Sequence, residues 1–190
     1  MNFMFYPTSD YVHSYTTRWG GAWDLKIWQA ADFGNWDLAY GCANDGDNSP
    51  SGQLIQSNAQ SISAPTSNEF YTFTIDMQNM TYTWTKIDNQ TPTEYSTISL
   101  IGDFNGWGDD DPEMEQVAPH NWYIGNITLS GGTKLRADHN WDVNWGAALN
   151  VAEKAYATCT NDGDNINVPE GKYNVYFNDI TGQVVFKEIE

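Results

Sequence analysis

The amino-acid sequence predicts an all-β chain: two tandem immunoglobulin-like antiparallel β-sandwich modules, at residues 1–88 and 95–190, joined by a short linker at 89–94. Three observations predict it. A block of sequence repeats, the end of each copy alternates apolar and polar residues about a turn, and the remainder falls into short β-branched and aromatic runs broken by Gly, Asn and Asp.

The repeat is the firmest of the three. Cys42-Ala43-Asn44-Asp45-Gly46-Asp47-Asn48 recurs as Cys159-Thr160-Asn161-Asp162-Gly163-Asp164-Asn165, six identities in seven positions. Upstream, Trp36-Asp37-Leu38-Ala39-Tyr40-Gly41 matches Trp141-Asp142-Val143-Asn144-Trp145-Gly146, and Lys26 and Lys134 each precede the first Trp of their copy. Downstream, residues 70–87 align without gaps on residues 172–189, and both segments alternate about a short turn, as a closing β-hairpin does. The copies differ by insertion, residues 147–158 in the second and a Ser/Gln/Asn-rich stretch after Asn48 in the first, which fits surface loops. Residues 147–157 are expected to form one helical turn.

In the second copy, residues 97–102, 122–129 and 133–137 read as short strands, and no amphipathic helix competes with them. About 95 residues per copy and close turn spacing indicate a sandwich. Asp88–Glu94 is polar, with one Pro, and reads as a fairly stiff boundary.

Composition narrows the partners. With 8 Lys+Arg against 25 Asp+Glu and a net charge of -17, the surface repels phosphate backbones and anionic lipid, so nucleic acid is excluded. Nine Trp serve two purposes, core filling and contact with neutral polyhydroxylated ligands, and about half are expected in the core. No apolar run reaches transmembrane length, and Met1–Pro7 lacks the basic start and apolar stretch of an export signal. Cys42 and Cys159 occupy equivalent places in the repeat, which argues for one buried thiol per module rather than a bridge.

The most specific segment is Leu100-Ile101-Gly102-Asp103-Phe104-Asn105-Gly106-Trp107, a strand entering a Gly/Asn turn that presents Trp107 at the sandwich edge. The GDFNGW turn, the Lys134–Trp141 spacing and the later Asn165 resemble the glycogen-binding modules of kinase β-subunits and of starch-branching and debranching enzymes. The run GGTKLRADHNWDVNWG followed by NDGDNINVPEGKYNVYFN, with its tandem repetition, more closely resembles the SusE/SusF-type surface starch-binding lipoproteins of Bacteroidetes. That resemblance implies Trp107 and Trp141 as sugar platforms, Lys134 as a hydroxyl donor and Asn165 as a hydroxyl partner, with Arg136 and Trp145 as further candidates. It also implies an α-glucan ligand, a place on the extracellular face of the outer membrane through a lipid anchor (or secretion), and association with other outer-membrane glycan-uptake components. These residue types suit sugar binding, because a pyranose offers an apolar C–H face to an aromatic ring and a rim of hydroxyls to Lys and Asn. A core position for Trp141 stands beside the platform reading, since the repeat keeps Trp36 in its place.

The first module lacks GDFNGW. Its matching positions are Lys26, Trp36, Tyr40 and Asn48, while Trp28 replaces Arg136 and is a platform candidate beside Trp23. The NDGDN segments read as tight turns rather than Ca²⁺ sites, because the spacing and distal Glu of an EF-hand are missing. Asp109-Asp110-Asp111 reads as a solvated acidic loop, and His13, His120 and His139 as isolated. With no catalytic signature, no acid pair that can be singled out, and no cofactor or metal motif, the expectation is a non-catalytic binder without cofactor. The alternative is a structural or adhesive tandem sandwich with a protein partner, whose Trp would all be buried.

Overall fold

The computed structural model describes residues 4–20 and 24–189, so Trp23 lies outside it. The chain divides into two compact units, Phe5–Gln90 and Thr91–Glu190. Among the described residues there is no α-helix, only strands and three 3₁₀ turns. The expected all-β class and antiparallel pairing are both present.

In the first unit the strands are β1 (Tyr6–Pro7), β2 (Val12–Trp19), β3 (Asp24–Leu25), β4 (Ser51–Gln53), β5 (Ile62–Ser63), β6 (Glu69–Asp76) and β7 (Thr81–Lys86). One sheet runs β1-β2-β6-β7-β4, and β3 pairs with β5 apart from it. The β6–β7 hairpin follows the alternation of its sequence: Phe73 pairs with Trp84 and Ile75 with Tyr82, all buried, while Thr83 and Thr85 are exposed. The core is aromatic. Trp19 meets Trp84 edge to face at 4.8 Å, Phe73 lies 4.4 Å from Trp84, and the Trp19 indole N–H donates to the Tyr71 carbonyl at 2.9 Å, so its one polar atom is satisfied. Gln90, within the segment read as linker, accepts the Phe70 N–H through its amide oxygen and donates its amide nitrogen to the Phe70 carbonyl, at the start of β6.

In the second unit the strands are β8 (Ile98–Gly102), β9 (Glu115–Ala118), β10 (Asn121–Ala137), β11 (Asn144–Gly146), β12 (Tyr156–Thr158), β13 (Thr160–Asn161), β14 (Ile166–Asn178) and β15 (Gln183–Ile189). Their order is β12-β15-β14-β10-β11-β13, with β8 and β9 both added on β10. The sequence suggests two strands within 122–137, yet β10 is one strand of 17 residues. Gly131, at φ 72°, and Asn126, at φ 56°, sit where the β14 register shifts, so they bend the strand as bulges without ending it. Residues 147–157 form no helix. Glu153 and Lys154 both donate to the Asn150 carbonyl in a single closed turn, and the chain then enters β12.

Both thiols are free and buried. Burial pushes Cys42 up and Cys159 up to about 12, as expected of inert packing residues. Of the eight Trp described, Trp19, Trp84, Trp122 and Trp145 are core.

Because Trp19 is wholly buried at the centre of the first unit's ring cluster, Trp19→Ala is expected to destabilise that unit by about 3–5 kcal/mol in urea denaturation. A loss under about 1 kcal/mol would mean that the cluster does not form the core.

Candidate functional site

The chain leaves β8 at Gly102 and turns through a 3₁₀ element at Asp103–Asn105. Asn105 accepts the Gly102 N–H at 3.0 Å through its side chain, and the Trp107 N–H returns to the Gly102 carbonyl at 2.9 Å. Gly106 and Trp107 both adopt left-handed backbone, at φ 66° and 58°. This is costly for a bulky Trp, and such outliers persist where surrounding bonds over-determine them. Here Asp103 does so: one oxygen accepts the Trp107 indole N–H at 2.7 Å and the other accepts the Gly132 N–H of β10 at 2.6 Å. These two donors, Gly132 first, hold the Asp103 carboxyl below its ordinary range. A Cβ on Gly131 would collide with the same carboxylate, which explains a glycine at that bulge.

The other indole arrives from the far end of β10. Asn140 donates to the Ala137 carbonyl at 3.1 Å across Asp138 and His139, both at positive φ, and Asp138 accepts the N–H groups of Ser96 and Thr97. This tight turn delivers Trp141 to the surface, 47% exposed. Its ring centre stands 6.1 Å from that of Trp107 with the planes 31° apart. The two strongest sequence candidates are therefore neighbours, and Trp141 is not core.

Beneath them is a charged network. Arg136 is 1% exposed and makes a fork with Asp111, from Nε at 2.7 Å and Nη2 at 2.8 Å, while its guanidinium lies 5.3 Å from the Trp141 ring centre. Ser99 Oγ donates to Asp111 in a short hydrogen bond, and His139 spans Asp111 and Glu113, at 2.9 Å each. Burial alone would raise the Asp111 carboxyl, but Arg136, Ser99 and His139 together hold it far below the carboxylate range. The solvated acidic loop read from Asp109–Asp111 is thus corrected at its third residue: Asp111 is buried because Arg136 of β10 needs a counter-charge there. His139 is likewise not isolated. Asp111, then Glu113, raise its imidazole above the ordinary value. Nor is His120: despite burial, Asp179 at 2.7 Å and Glu94 raise it, and Asp179 also accepts the Trp122 indole N–H at 2.8 Å.

The remaining candidates separate by sheet register. Arg136 pairs with Asn144 and Ser99 on one face, while Leu135 pairs with Trp145 on the other. Trp145 is accordingly a core residue, 5.1 Å from Phe177 and 5.5 Å from Tyr95, and its reading as a site residue is corrected. Arg136 shares the face of β10 that carries Lys134 and is 1% exposed. Lys134 donates to Asn144 Oδ1 at 2.7 Å, and Asn144 Nδ2 donates to Asp162 at 2.6 Å and to the Trp141 carbonyl at 3.2 Å. Asn165 is exposed, its amide packed over Gly132 beside Asp103. Sequence reasoning missed Asp103, Asp111 and Asn144. Only Asp103 carries a local signal, as an Asp three residues before the glycine of a turn.

In the first unit, Trp36 is 68% exposed on a 3₁₀ turn whose start is capped by Asn35, which accepts the Asp37 N–H at 3.2 Å. Trp28 meets Trp36 edge to face at 5.0 Å and Phe33, a residue not foreseen, at 5.5 Å. The Lys26 ammonium lies 5.8 Å from the Trp36 ring centre and donates to the Ala59 carbonyl at 2.6 Å. Tyr40 is half-buried, its backbone paired with Ile27, and Asn48 is exposed after the Asp47 turn. Trp28, Trp36 and Lys26 are therefore brought together.

Residues 5–86 match the family described as "SusF, first starch specific CBM", a carbohydrate-binding module, and cover most of the first unit. Among solved structures, SusF from Bacteroides thetaiotaomicron is similar at 16% identity with a TM-score of 0.39, over 96% of this chain and 43% of SusF. The chain thus spans under half the length of that protein. No curated protein matches.

Asp103→Ala frees the Trp107 indole and the Gly132 N–H at once, so it is expected to raise acrylamide quenching of the Trp107 fluorescence while lowering Tm by only a few degrees. Unchanged quenching would remove the clamp. His120 and His139 bind protons more tightly folded than unfolded, so their contribution is complete below about pH 6.5 and is lost as pH rises through their raised values. Asp111 works the other way, contributing above about pH 4 and failing only in strong acid. Urea unfolding of the second unit is expected to show higher stability near pH 5.5 than near 8.5, a difference reduced in His120→Gln. Equal stability at both pH values would contradict this.

Proposed function

We propose that this chain, of SusE/SusF type by the match of its first unit to a starch-specific module, captures starch-type α-glucan without cleaving it and has a binding surface in each unit. The observation that carries the reading is the pair of partly exposed indoles Trp107 and Trp141, side by side on a braced edge of the second unit. Two rings inclined at 31° suit the apolar faces of successive sugar rings in a curved chain. Asn165 and the two free ammonium protons of Lys134 then supply partners for hydroxyls at the rim. In the first unit, Trp36 and Phe33 take the platform role with Lys26 beside them.

Catalysis finds no support in the acids. A glycosidase needs one carboxyl raised to act as an acid beside a second across a cleft. Asp111 and Asp103 are both depressed, and Asp179 is engaged by His120 and Trp122. The protein-partner alternative requires the large rings to be buried, and Trp36 and Trp141 are exposed. Two units on one chain raise avidity for a polymer, because the second contact forms at high local concentration. By the same family reading, the protein works at the extracellular face of the outer membrane, lipid-anchored, with other glycan-uptake components.

Affinity electrophoresis in gels loaded with starch, glycogen, xylan or levan tests this directly. Retardation is expected with starch and glycogen, and failure with both would sink the reading. Trp107→Ala is expected to weaken binding by the second unit about 10-fold or more while Tm falls by only a few degrees, as for a half-buried ring at the surface. Trp36→Ala should do the same for the first unit. A large stability loss with unchanged retardation would place the ring in the core instead.

A further inference from the structure

Arg136 looks at first like a sugar donor, and its geometry says otherwise. The side chain is 1% exposed, and its fork is closed on Asp111. Its guanidinium carbon lies over the Trp141 ring, 5.3 Å from the ring centre. The ring itself remains 47% exposed. Two residues earlier on the same face of β10, Lys134 holds Asn144, and Asn144 holds the Trp141 carbonyl. One strand therefore fixes the backbone of Trp141 through Lys134 and reaches its ring through Arg136.

The repeat supplies an independent observation. Position 136 of the second unit corresponds to Trp28 of the first, and position 141 to Trp36. Trp28 is half-buried, pinned by its indole N–H on the Asn35 carbonyl at 2.9 Å, and presents itself edge to face to Trp36 at 5.0 Å. Side chains of unrelated chemistry, a guanidinium and an indole, thus stand at corresponding positions of the repeat, each within reach of the exposed Trp ring. What the two share is contact with that ring and a hydrogen bond that holds them, to Asp111 for one and to the Asn35 carbonyl for the other.

We infer that Arg136 and Trp28 are positioning residues: each backs the exposed Trp of its unit and sets that ring's orientation, and Asp111 acts by holding Arg136 in place. The assignment deepens the proposed function, since it concerns the platforms of that same surface. It gives Arg136 no contact with glycan. A forked cation fits the role, because two of its N–H groups hold a carboxylate while its carbon lies over an aromatic ring, which the point charge of lysine does not reproduce.

The test uses the full chain labelled with 5-fluorotryptophan, with the Trp141, Trp145 and Trp36 resonances assigned from Trp141→Phe, Trp145→Phe and Trp36→Phe. In Arg136→Lys, which keeps the charge, the fluorine resonance of Trp141 is expected to shift or broaden while that of Trp145 stays in place. Affinity for maltoheptaose should fall about 5-fold, and the same substitution in a Trp141→Phe background should cost nearly nothing more, because the effect passes through that ring. An unmoved Trp141 resonance, or an equal loss in both backgrounds, would overturn the inference. Should Arg136→Lys fail to fold, Trp28→Leu decides it from the first unit: the Trp36 resonance moves if Trp28 positions that ring and stays if it does not. Absence of maltoheptaose binding by the wild-type chain would count against the proposed function alone, since the resonances report ring position without ligand.

Discussion

An arginine withdrawn from water has to be met by a carboxylate, and the second unit is arranged around that requirement. Desolvating the Arg136–Asp111 pair costs several kcal/mol per ion, repaid only when geometry is close and the remaining lone pairs are filled. Both conditions hold, through the fork, Ser99 of β8 and His139 of the following turn. Breaking such a pair by removing one member costs about 3–5 kcal/mol, so the acidic segment before β9, the end of β10 and the turn to Trp141 are tied to one another. The exposed edge exists because a charged interior beneath it is complete.

The two units solve the same problem with different materials. The second uses a long bulged strand and an ion pair, and the first uses 3₁₀ turns and aromatic edges. In both, the residue order Lys, backing residue, exposed Trp, Cys and Asn-Asp-Gly-Asp-Asn survives. The divergence lies in how a large ring is kept at the surface instead of collapsing inward, where its apolar area would otherwise draw it.

Much of this was legible in the sequence, and the reason is period. The hairpins at 70–87 and 172–189 alternate cleanly because one face of each is core, so their existence and register follow from side-chain order. Trp107 was legible because glycine and asparagine around it leave no regular element to bury it. What was hidden depends on partners far along the chain. Three consecutive aspartates give no sign of which one faces inward, and Asp111 is selected only when β8 and β10 place Arg136 opposite. Trp141 and Trp145 look alike in sequence. They part because Trp145 pairs with Leu135 on the core side of β10, a register that local pattern does not specify. The glycines near 131 read as a break, whereas a long partner in β14 carries the strand through the bend.

The left-handed backbone at Trp107 and its clamp by Asp103 have a consequence for the energetics of recognition. A side chain on a free loop must give up its rotational freedom when a ligand arrives, at roughly 0.5–1.5 kcal/mol for each group immobilised. Here that loss is taken during folding, when the strand, the turn and the carboxylate come together. Contact with a flexible polymer then asks for order only from the polymer, and even a shallow surface retains most of the free energy that its rings provide.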